Sequence, residues 1–308
     1  MKAYAITQAG AAPTVIDLPV PEPEAGELRV RVAVASINGF DLAVAAGFMM
    51  GFFEHRFPVV LGRDFAGVVD AVGPDVDGFE IGDRVFGVVS KPHLREGSFA
   101  EYTTVPVASA AAKIPDAVSD SEAAALGHTG TTALACLSGL DLDGATILIV
   151  GATGGVGTLA TQLAVAAGAR VIATGRTEAG RARLTGFGAE AVDYTRGLEA
   201  AVREVAPDGV DAALHLAGDP VEISPLVRDG GAFVTPVLYS PEMFGDGDRL
   251  RFVPIAAYPD PDTLARLAAL VESGDLTVVV QHEYRFDEVG DAAGAWGHET
   301  VGKLLLTT

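Results

Sequence analysis

The sequence predicts an α/β protein in which a β-rich part precedes a doubly wound parallel sheet. Up to about residue 117, short β-rich runs alternate with Gly and Pro. From about Ser119, apolar strand-like runs alternate with helical segments, which is typical of a parallel sheet with helical crossovers. A third observation is that the apolar run 145–150 leads directly into a glycine-rich stretch at 151–157.

The β-rich part contains runs at 28–35, 65–72 and 84–89. The breaks around them carry turn-forming residues, such as the pair Gly73–Pro74 and the residues Gly78, Gly82 and Pro92. Short strands with such punctuation predict a small antiparallel barrel or sandwich.

The second part begins with a predicted helix over about 119–138. The strands predicted after it lie at 146–150, 170–174, 191–194, 210–216, 232–235 and 251–256. Six strands with helical crossovers predict a doubly wound parallel sheet. The tail continues with a helix at 261–273, an apolar run at 278–280 and a final strand-like run at 302–307.

The glycine-rich stretch is predicted to be a strand-to-helix turn that binds phosphate. Glycines at 154, 155 and 157 let the backbone approach a pyrophosphate, and the helix start supplies unpaired N–H groups. In the fingerprint G-x-G-x-x-G the first glycine is replaced by Ala152. A tight turn without a ligand is the alternative, and the following strand at 170–174 argues against it.

The end of that second strand predicts which dinucleotide binds. NAD-selective sites carry a carboxylate there for the ribose hydroxyls, whereas this chain has Thr174, Gly175 and Arg176. A guanidinium suits a 2′-phosphate, so NADPH is favoured. Alternatively, Arg176 is a solvated surface residue and Arg181 or Arg183 serves instead, and Glu178 lies nearby.

Composition limits the classes of partner and the compartment. The formal net charge of −20 disfavours nucleic acid and anionic lipid. No run reaches the roughly 18 apolar residues that span a bilayer, and residues 1–8 lack the apolar core of a signal peptide, so we expect a cytoplasmic protein without a membrane segment. The single cysteine, Cys136, excludes an internal disulfide and is expected in the core.

Several ordered motifs resemble the medium-chain dehydrogenase/reductase superfamily, in particular its zinc-independent quinone oxidoreductase (zeta-crystallin-like) branch. They are Ile37-Asn38 with Asp41, Leu61-Gly-Arg-Asp64-Phe-Ala-Gly, Gly82-Asp83-Arg-Val-Phe-Gly, Gly97-Ser-Phe-Ala-Glu-Tyr102, the glycine turn and Gly302-Lys303. The resemblance implies a GroES-like catalytic domain from 1–117 and 258–308 with a Rossmann domain over 118–257. It also implies a homodimer, often joined through the last Rossmann strand.

The resemblance implies that no metal is bound. In zinc-dependent relatives a Cys stands at the position of Asn38 and a His at that of Arg63, and neither is present. The six histidines, at 55, 93, 128, 215, 282 and 298, show no close metal-ligand spacing. Without a Lewis acid the natural acceptor is a quinone or conjugated enone.

The resemblance places Asn38 and Asp41 near the nicotinamide and substrate as catalytic residues, and Tyr194 near the 2′-phosphate. The cofactor-binding residues are predicted to be Thr132, Gly151, Ala152, Thr153, Gly154, Gly155, Val156, Gly157, Thr174, Gly175, Arg176, Arg181, Tyr194 and Ala217. Alternatively, Asn38 forms a turn, Asp41 and Thr132 cap helices, and Tyr194 is an amphipathic strand end.

The acceptor and the proton donor stay open. Related quinone reductases often carry an aromatic residue two positions after the aspartate, where this chain has Ala43. The apolar segment 48–53 either supplies the pocket wall or packs as core or lid. The expected activity is hydride transfer from NADPH to a quinone or enone, with a proton from solvent or through Asn38 and water. The alternatives are a catalytically quiet NADPH-binding redox sensor and an enoyl reductase.

Overall fold

The computed structural model describes residues 1–237, 249–297 and 300–308, and the chain forms two compact units. Unit 1 contains residues 1–129 and 259–308, and unit 2 contains residues 130–258. The sequence placed the first boundary at 117/118, where the texture changes from strand to helix. The division between the compact units falls between residues 129 and 130, within the continuous helix Asp120–Leu137.

The chain order of the elements follows the predicted alternation. The strands of the first part are β1 (Lys2–Ile6), β2 (Thr14–Asp17), β3 (Glu27–Ser36), β4 (Glu54–His55), β5 (Val59–Val60), β6 (Asp64–Val72), β7 (Arg84–Val88), β8 (His93–Leu94), β9 (Tyr102–Pro106) and β10 (Ala111–Lys113). The later strands are β11 (Thr146–Val150), β12 (Arg170–Thr174), β13 (Glu190–Val192), β14 (Val210–His215), β15 (Val227–Thr235), β16 (Arg251–Pro254), β17 (Val280–Arg285) and β18 (Lys303–Thr307).

The helices are α1 (Gly39–Ala45), α2 (Val107–Ala110), α3 (Asp120–Leu137), α4 (Gly155–Ala166), α5 (Glu178–Gly186), α6 (Leu198–Val205), α7 (Pro220–Ile223), α8 (Pro261–Glu272) and α9 (Val289–Ala295). Short 3-10 helices lie at Tyr194–Arg196, Ser224–Leu226 and Phe286–Glu288.

Unit 1 is built on a mainly antiparallel sheet, as the punctuated strands predicted. Its strand order is β10-β7-β6-β3-β18-β17, and β9 also pairs with β3. The C-terminal strand β18 pairs antiparallel with β3, with Leu305 opposite Ser36, so the end of the chain completes the N-terminal sheet. The core contains fully buried aromatic side chains, among them Phe65 and Phe99.

Unit 2 contains a parallel sheet of strand order β13-β12-β11-β14-β15-β16, so the predicted doubly wound sheet is confirmed. Its central strands are apolar on both faces, which a sheet covered on both sides requires. Leu148, Ile172 and Phe233 are completely buried, and Cys136 is buried as expected.

Several boundaries in the structure differ from the predicted ones. Strand β13 ends at Val192 instead of residue 194, because the Asp193 carboxylate accepts a hydrogen bond from the Thr195 backbone N–H (3.0 Å) and turns the chain. Strand β15 starts at Val227 instead of residue 232, because it continues through a glycine pair that resembles a turn. The apolar run 278–280 only leads into β17, which starts at Val280.

Across the described ranges, we find no helix whose length and apolar character would let it cross a bilayer.

Candidate functional site

The glycine turn of unit 2 lies between β11 and α4, as predicted. Strand β11 ends at Val150, Gly151 adopts a φ of +88°, and α4 begins at Gly155 with Gly154 as its N-cap. A Cβ on Gly157 would lie 2.4 Å from the Gly151 carbonyl oxygen and 2.5 Å from Ala152 Cα. Only glycine permits this close approach of the helix to the turn.

The other residues of the turn are arranged around this contact. Ala152 is fully buried, whereas Thr153, Gly155 and Val156 are half-buried along the turn and the first turn of α4. Gly154 has no side chain to cap the helix, so the backbone N–H groups at the start of α4 are left to an external acceptor. Backbone N–H groups at a helix start carry partial positive charge, which suits a phosphate group.

The tip of β12 supplies the predicted selectivity residues. Thr174 is buried and its hydroxyl oxygen accepts a hydrogen bond from the Gly151 N–H (3.1 Å), which ties the two strand ends together. Arg181 donates to the carbonyl oxygens of Gly175 (3.0 Å) and Arg176 (2.9 Å). Arg181 therefore holds the loop, while the Arg176 side chain is exposed at its tip.

Arg181 is also paired with a carboxylate, Asp193, at 3.3 Å. The pKa of Asp193 is lowered mainly by its hydrogen bonds from Thr195, with a smaller effect of Arg181. Of the two predicted guanidinium groups, Arg176 is thus the one on the exposed side of the loop. Glu178 lies in the first exposed turn of α5, beside it in sequence.

A surface cleft in unit 2 borders the carboxyl ends of these strands. It is lined by residues that include Val150, Tyr194, Gly218 and Asp219. Tyr194 is 40% exposed and starts a 3-10 helix, so the alternative interpretation as a strand end was wrong. Ala217 follows β14, and a Cβ on Gly151 would lie 3.0 Å from the Ala217 Cβ. Ala217 therefore packs directly against the glycine turn.

Two further residues of unit 2 belong to this description. His215, which the sequence analysis did not assign to the site, is buried between the Thr235 hydroxyl and the Gly218 carbonyl oxygen, both at 3.1 Å. It fixes the turn that carries Ala217. Thr132 is buried in α3.

In unit 1, Asn38 and Asp41 meet at the start of α1. The Asp41 carboxylate accepts a hydrogen bond from the Asn38 backbone N–H at 2.8 Å, so Asp41 caps the helix as one interpretation predicted. Its second oxygen, Oδ1, is buried and has no hydrogen-bond partner within the part of the chain that the structure describes.

The Asn38 amide is engaged on every side. Its Nδ2 donates to the Ser36 carbonyl oxygen (3.3 Å) and to Asp64 Oδ2 (3.0 Å). Its Oδ1 accepts from Lys303 Nζ (2.6 Å) and Thr129 Oγ1 (3.5 Å). The amide has two donor hydrogens and two lone pairs, and all four are used by the protein. Asn38 therefore organises this region and has no polar atom left for a water relay.

Asp64 lies at the centre of the same cluster and is 0% exposed. Besides Asn38 it accepts hydrogen bonds from the Ser36 hydroxyl (2.7 Å) and from the His128 backbone N–H (2.7 Å). Lys303 Nζ lies 4.0 Å from Asp64 Oδ2 and also donates to the Ile37 carbonyl oxygen at 2.8 Å. The buried carboxylate is thus paired with a buried ammonium.

Burial shifts the ionisation of this cluster. It raises the pKa of Asp41 from 3.8 to about 7, with a further rise from Asp64 and opposing effects of the Asn38 N–H, Lys303 and Arg63. Burial, with Arg63 and Lys303, lowers the pKa of His128 from 6.5 to about 4, against the attraction of Asp64. Burial also lowers the pKa of Lys303, while Asp64 and Asp41 raise it.

Arg63 and its surroundings form a cleft within unit 1. The guanidinium carbon lies 4.4 Å from the centroid of the Phe40 ring, and the cleft is lined by Arg63, Asp41, Phe40 and Phe53 among others. Phe40 and Phe53 pack edge to face with centroids 5.7 Å apart. Burial lowers the pKa of Arg63, which Asp41 and Asp64 oppose.

The predicted wall segment 48–53 therefore contributes only in part. Phe53 lines the cleft, whereas Phe48 and Phe52 are 72% and 70% exposed. No chemical role was predicted from the sequence for Arg63, Asp64, His128 or Lys303. The signals that pointed to three of them were the motifs Gly62-Arg63-Asp64 and Gly302-Lys303, and His128 had no such signal.

Comparison with known proteins agrees with both halves of this description. Residues 24–116 match the alcohol dehydrogenase GroES-like domain, and residues 155–235 match the zinc-binding dehydrogenase family. The chloroplast envelope quinone oxidoreductase homolog of Arabidopsis thaliana is 31% identical over 312 residues, which is 94% of this chain and 92% of that protein.

The chain belongs to the medium-chain dehydrogenase/reductase superfamily.

Two further similarities bear on this member of the superfamily. The erythronolide synthase EryA2 of Saccharopolyspora erythraea is 35% identical over 321 residues, which is 97% of this chain but only 8% of the synthase. The solved structure of the mycobacterial protein Rv1454c, complexed with NADPH, is similar with a TM-score of 0.84 and 26% identity over 100% of both chains. The chain is thus an oxidoreductase of this superfamily with a GroES-like and a Rossmann domain.

The second matched family is described as zinc-binding dehydrogenase, so we tested whether the residues of this medium-chain dehydrogenase/reductase fit a zinc ion. At the two positions compared above, Asn38 presents an amide and Arg63 a cation, and neither is a zinc ligand. Lys303 adds a second cation close to Asn38. Within the described ranges no group of three or more His, Cys, Asp or Glu side chains could hold a metal, and His298 lies outside those ranges. The donor set does not fit a catalytic zinc.

Proposed function

We propose that the protein transfers a hydride from NADPH to a quinone or a conjugated enone. The observation that carries this proposal is the hydrogen bonding of the Asn38 side chain. Its amide uses all of its donors and acceptors within the protein, with Ser36, Asp64, Thr129 and Lys303 as partners. A position that holds a metal ligand in zinc-dependent relatives is thereby part of a hydrogen-bonded ionic cluster. The chemistry must then proceed without zinc to stabilise an alkoxide.

A conjugated acceptor suits such a site. Hydride addition to an ordinary ketone concentrates negative charge on one oxygen, whereas a quinone or enone spreads that charge over its π-system. The protein therefore has to stabilise less charge on the acceptor oxygen than in the reduction of an ordinary ketone, and polar side chains at that oxygen are sufficient. The similarity to the quinone oxidoreductase homolog of Arabidopsis supports the same class of acceptor.

NADPH is favoured over NADH by the tip of β12. The loop presents the exposed Arg176, no carboxylate occupies positions 174–176, and Arg181 holds the loop backbone from below. A guanidinium pairs with a 2′-phosphate, while a carboxylate would repel it. The complex of Rv1454c with NADPH supports this choice.

The bound dinucleotide would supply the hydride, and the chain would orient it. The glycine turn and the start of α4 would hold the pyrophosphate, with Gly157 permitting the close approach that a Cβ would block. Ala217, packed on Gly151 and held by the turn that His215 fixes, would border the same nucleotide.

A second candidate is an enoyl-thioester reductase, which the similarity to EryA2 favours. Such an enzyme also adds hydride to a conjugated carbonyl compound, so the two candidates differ in the acceptor and share the chemistry. The ratio of kcat/KM for a crotonyl thioester to that for a simple quinone separates them. A higher kcat/KM for the thioester than for the quinone would favour the enoyl-thioester reductase.

The experiment that tests the proposal is a panel assay with purified protein, NADPH and a set of quinones and enones, followed at the absorbance of reduced nicotinamide. We expect consumption of NADPH with at least one acceptor and a slower reaction with NADH. Confirmed NADPH binding without consumption by any acceptor would contradict the proposal and favour a quiet nucleotide-binding sensor. The variant Gly157→Ala, which should not bind NADPH, serves as the control.

A further inference from the structure

The Arg63 guanidinium lacks an internal partner. Its side chain makes no hydrogen bond and no ion pair with the residues that the structure describes, and its guanidinium carbon lies 4.4 Å from the centroid of the Phe40 ring. By contrast, Arg56, on the exposed surface of the same unit, is paired with Glu54 at 2.9 Å. A half-buried cation with five unused donors is costly unless something else pairs with it.

A second unsatisfied group lines the same cleft. Asp41 is 1% exposed, its Oδ1 atom has no partner among the described residues, and it borders the cleft together with Arg63. Burial favours the neutral acid, since it raises the pKa of Asp41 to about 7. The same cleft thus carries a buried carboxyl with an unpartnered oxygen and a guanidinium without an ion pair.

The other charged groups of the cleft are already compensated. Lys91 pairs with Glu27 at 2.8 Å and lies 3.8 Å from Glu96, and His93 lies 3.6 Å from Glu96. The charged groups that act on Asp41 are Asp64, Lys303 and Arg63. Because Lys303 is bound to Asn38 and Ile37, Arg63 is the cation of this cleft that has no ion pair within the described ranges.

Part of the wall of the cleft is apolar. Val59 and Leu61 are buried, and the Phe40 and Phe53 rings lie edge to face beside Arg63. A cation next to such side chains interacts more strongly with a negative oxygen than a cation in bulk water does, because less water screens the pair.

We propose that Arg63 binds the carbonyl oxygen of the acceptor and that Asp41 is the proton donor. The inference rests on the proposed reduction of a conjugated carbonyl compound. With a reduced nicotinamide bound, hydride addition to the β-carbon of an enone would move the C=C electrons to the bond between the α-carbon and the carbonyl carbon and the C=O π electrons to oxygen, and Arg63 would hold the resulting enolate oxygen. The Asp41 proton then adds to the α-carbon, which completes the two-electron reduction. Water reprotonates the Asp41 carboxylate.

In this inference Arg63 replaces the metal electrostatically. In zinc-dependent relatives the Lewis acid holds the substrate oxygen, and here a guanidinium offers parallel N–H donors to the same kind of oxygen. Because the charge of a guanidinium persists even when burial lowers its pKa, the group is cationic throughout the working pH range.

The first test uses a probe that is independent of hydride transfer. A nitrophenol has a flat ring and an oxygen that becomes anionic, and its ionised form has a separate absorption band. We expect the wild-type protein to bind the nitrophenolate and to increase the ionised fraction on binding. Arg63→Gln should weaken this binding by on the order of 10²-fold, as loss of one donor to an oxyanion does. Arg63→Lys, which keeps the positive charge, should weaken nitrophenolate binding less than Arg63→Gln does.

The matched control is Arg56→Gln, which removes a guanidinium from an exposed ion pair outside the cleft. It should leave nitrophenolate binding unchanged. NADPH affinity and the melting temperature are measured for every variant, so a folding defect in Arg63→Gln is recognised. If that variant does not fold, the ionised fraction on the wild-type protein and the Arg63→Lys affinity still decide the question.

The second test is kinetic and uses an enone that the wild-type protein reduces. We expect Arg63→Gln and Asp41→Asn to lower kcat with unchanged NADPH affinity, and Asp41→Asn to remove the decline of kcat with rising pH. Equal nitrophenolate binding in wild type, Arg63→Gln and Arg56→Gln would overturn the inference. A wild-type protein that binds nitrophenolate through Arg63 but consumes no NADPH would instead contradict the proposed function.

Discussion

Lys303 Nζ donates a 2.6 Å hydrogen bond to Asn38 Oδ1 across 265 residues of sequence. Strand β18 carries Lys303 into the sheet beside β3, and Asn38 follows β3. The C-terminal strand thus places the Lys303 ammonium next to Asn38, the residue at the position of a zinc ligand in zinc-dependent relatives. Asp64, which accepts from Asn38 and lies 4.0 Å from Lys303, completes the cluster.

This cluster predicts a large and non-additive effect of Lys303→Met on stability. The substitution leaves the completely buried Asp64 carboxylate without its cation, which should lower the free energy of unfolding by about 3–5 kcal/mol. Urea unfolding measures this. The double variant Lys303→Met with Asp64→Asn should be less destabilised than the sum of the single variants. Simple additivity would show that the two charges do not interact.

The pKa shifts of Asp41 and His128 predict opposite pH dependences of stability. Since the Asp41 pKa is raised from 3.8 to about 7, this residue stabilises the folded state at low pH, and that contribution is lost as pH rises through this window. The stability of Asp41→Asn relative to wild type should therefore increase with pH across the window, by at most about 1.4 kcal/mol per unit.

His128 acts in the other direction. Its pKa is lowered from 6.5 to about 4, so its contribution is complete above 6.5 and is lost as pH falls toward 4. His128→Gln should gain stability relative to wild type as pH falls. Thermal melts of both variants across this range measure the two slopes, and slopes of the same sign would contradict the assigned ionisation states.

The glycine turn predicts different outcomes for two neighbouring glycines. Gly157→Ala places a Cβ 2.4 Å from the Gly151 carbonyl oxygen, so it should destabilise the protein by about 1–3 kcal/mol and abolish NADPH binding. Gly154→Ala is the matched control, because its Cβ would lie 3.4 Å from the same oxygen and its φ of −71° suits alanine. Equal melting temperatures for the two variants would contradict the packing of the turn.

The loop after β12 predicts a change of coenzyme preference. Arg176→Ala should weaken NADPH binding tenfold to a hundredfold, about 1.5–3 kcal/mol, and leave NADH binding unchanged. Arg183→Ala, an exposed residue of α5, is the control. Titration by fluorescence gives both affinities. If Arg176→Ala weakens the binding of NADPH and NADH equally, the guanidinium does not contact the 2′-phosphate.

Sequence reasoning predicted the architecture because the patterns that carry it are local. The apolar run 146–150, the glycines after it and the helical spacing of α4 lie within a few turns of chain. The end of β13 was missed because one side-chain hydrogen bond of Asp193 decides it. The predicted homodimer and the roles of Thr132, Tyr194 and Ala217 stay predictions.

The ionic cluster could not be predicted from the sequence in the same way. Ser36, Asp64, His128 and Lys303 come from four separate segments, and their contact depends on how β18 and α3 pack against β3 and β6. The pKa shifts depend on burial, which periodicity alone does not give. Whether Arg63 has an ion pair depends on residues that the fold brings next to it, so the local sequence does not predict it.

The most direct test of the account is to follow deuterium from NADPH deuterated at the transferring C4 position to an enone, with the product analysed by mass spectrometry. We predict a single deuterium at the β-carbon of the reduced product and an oxidised coenzyme that has lost it. A reduced product without deuterium, or no product from any enone or quinone while NADPH is bound, would contradict the account.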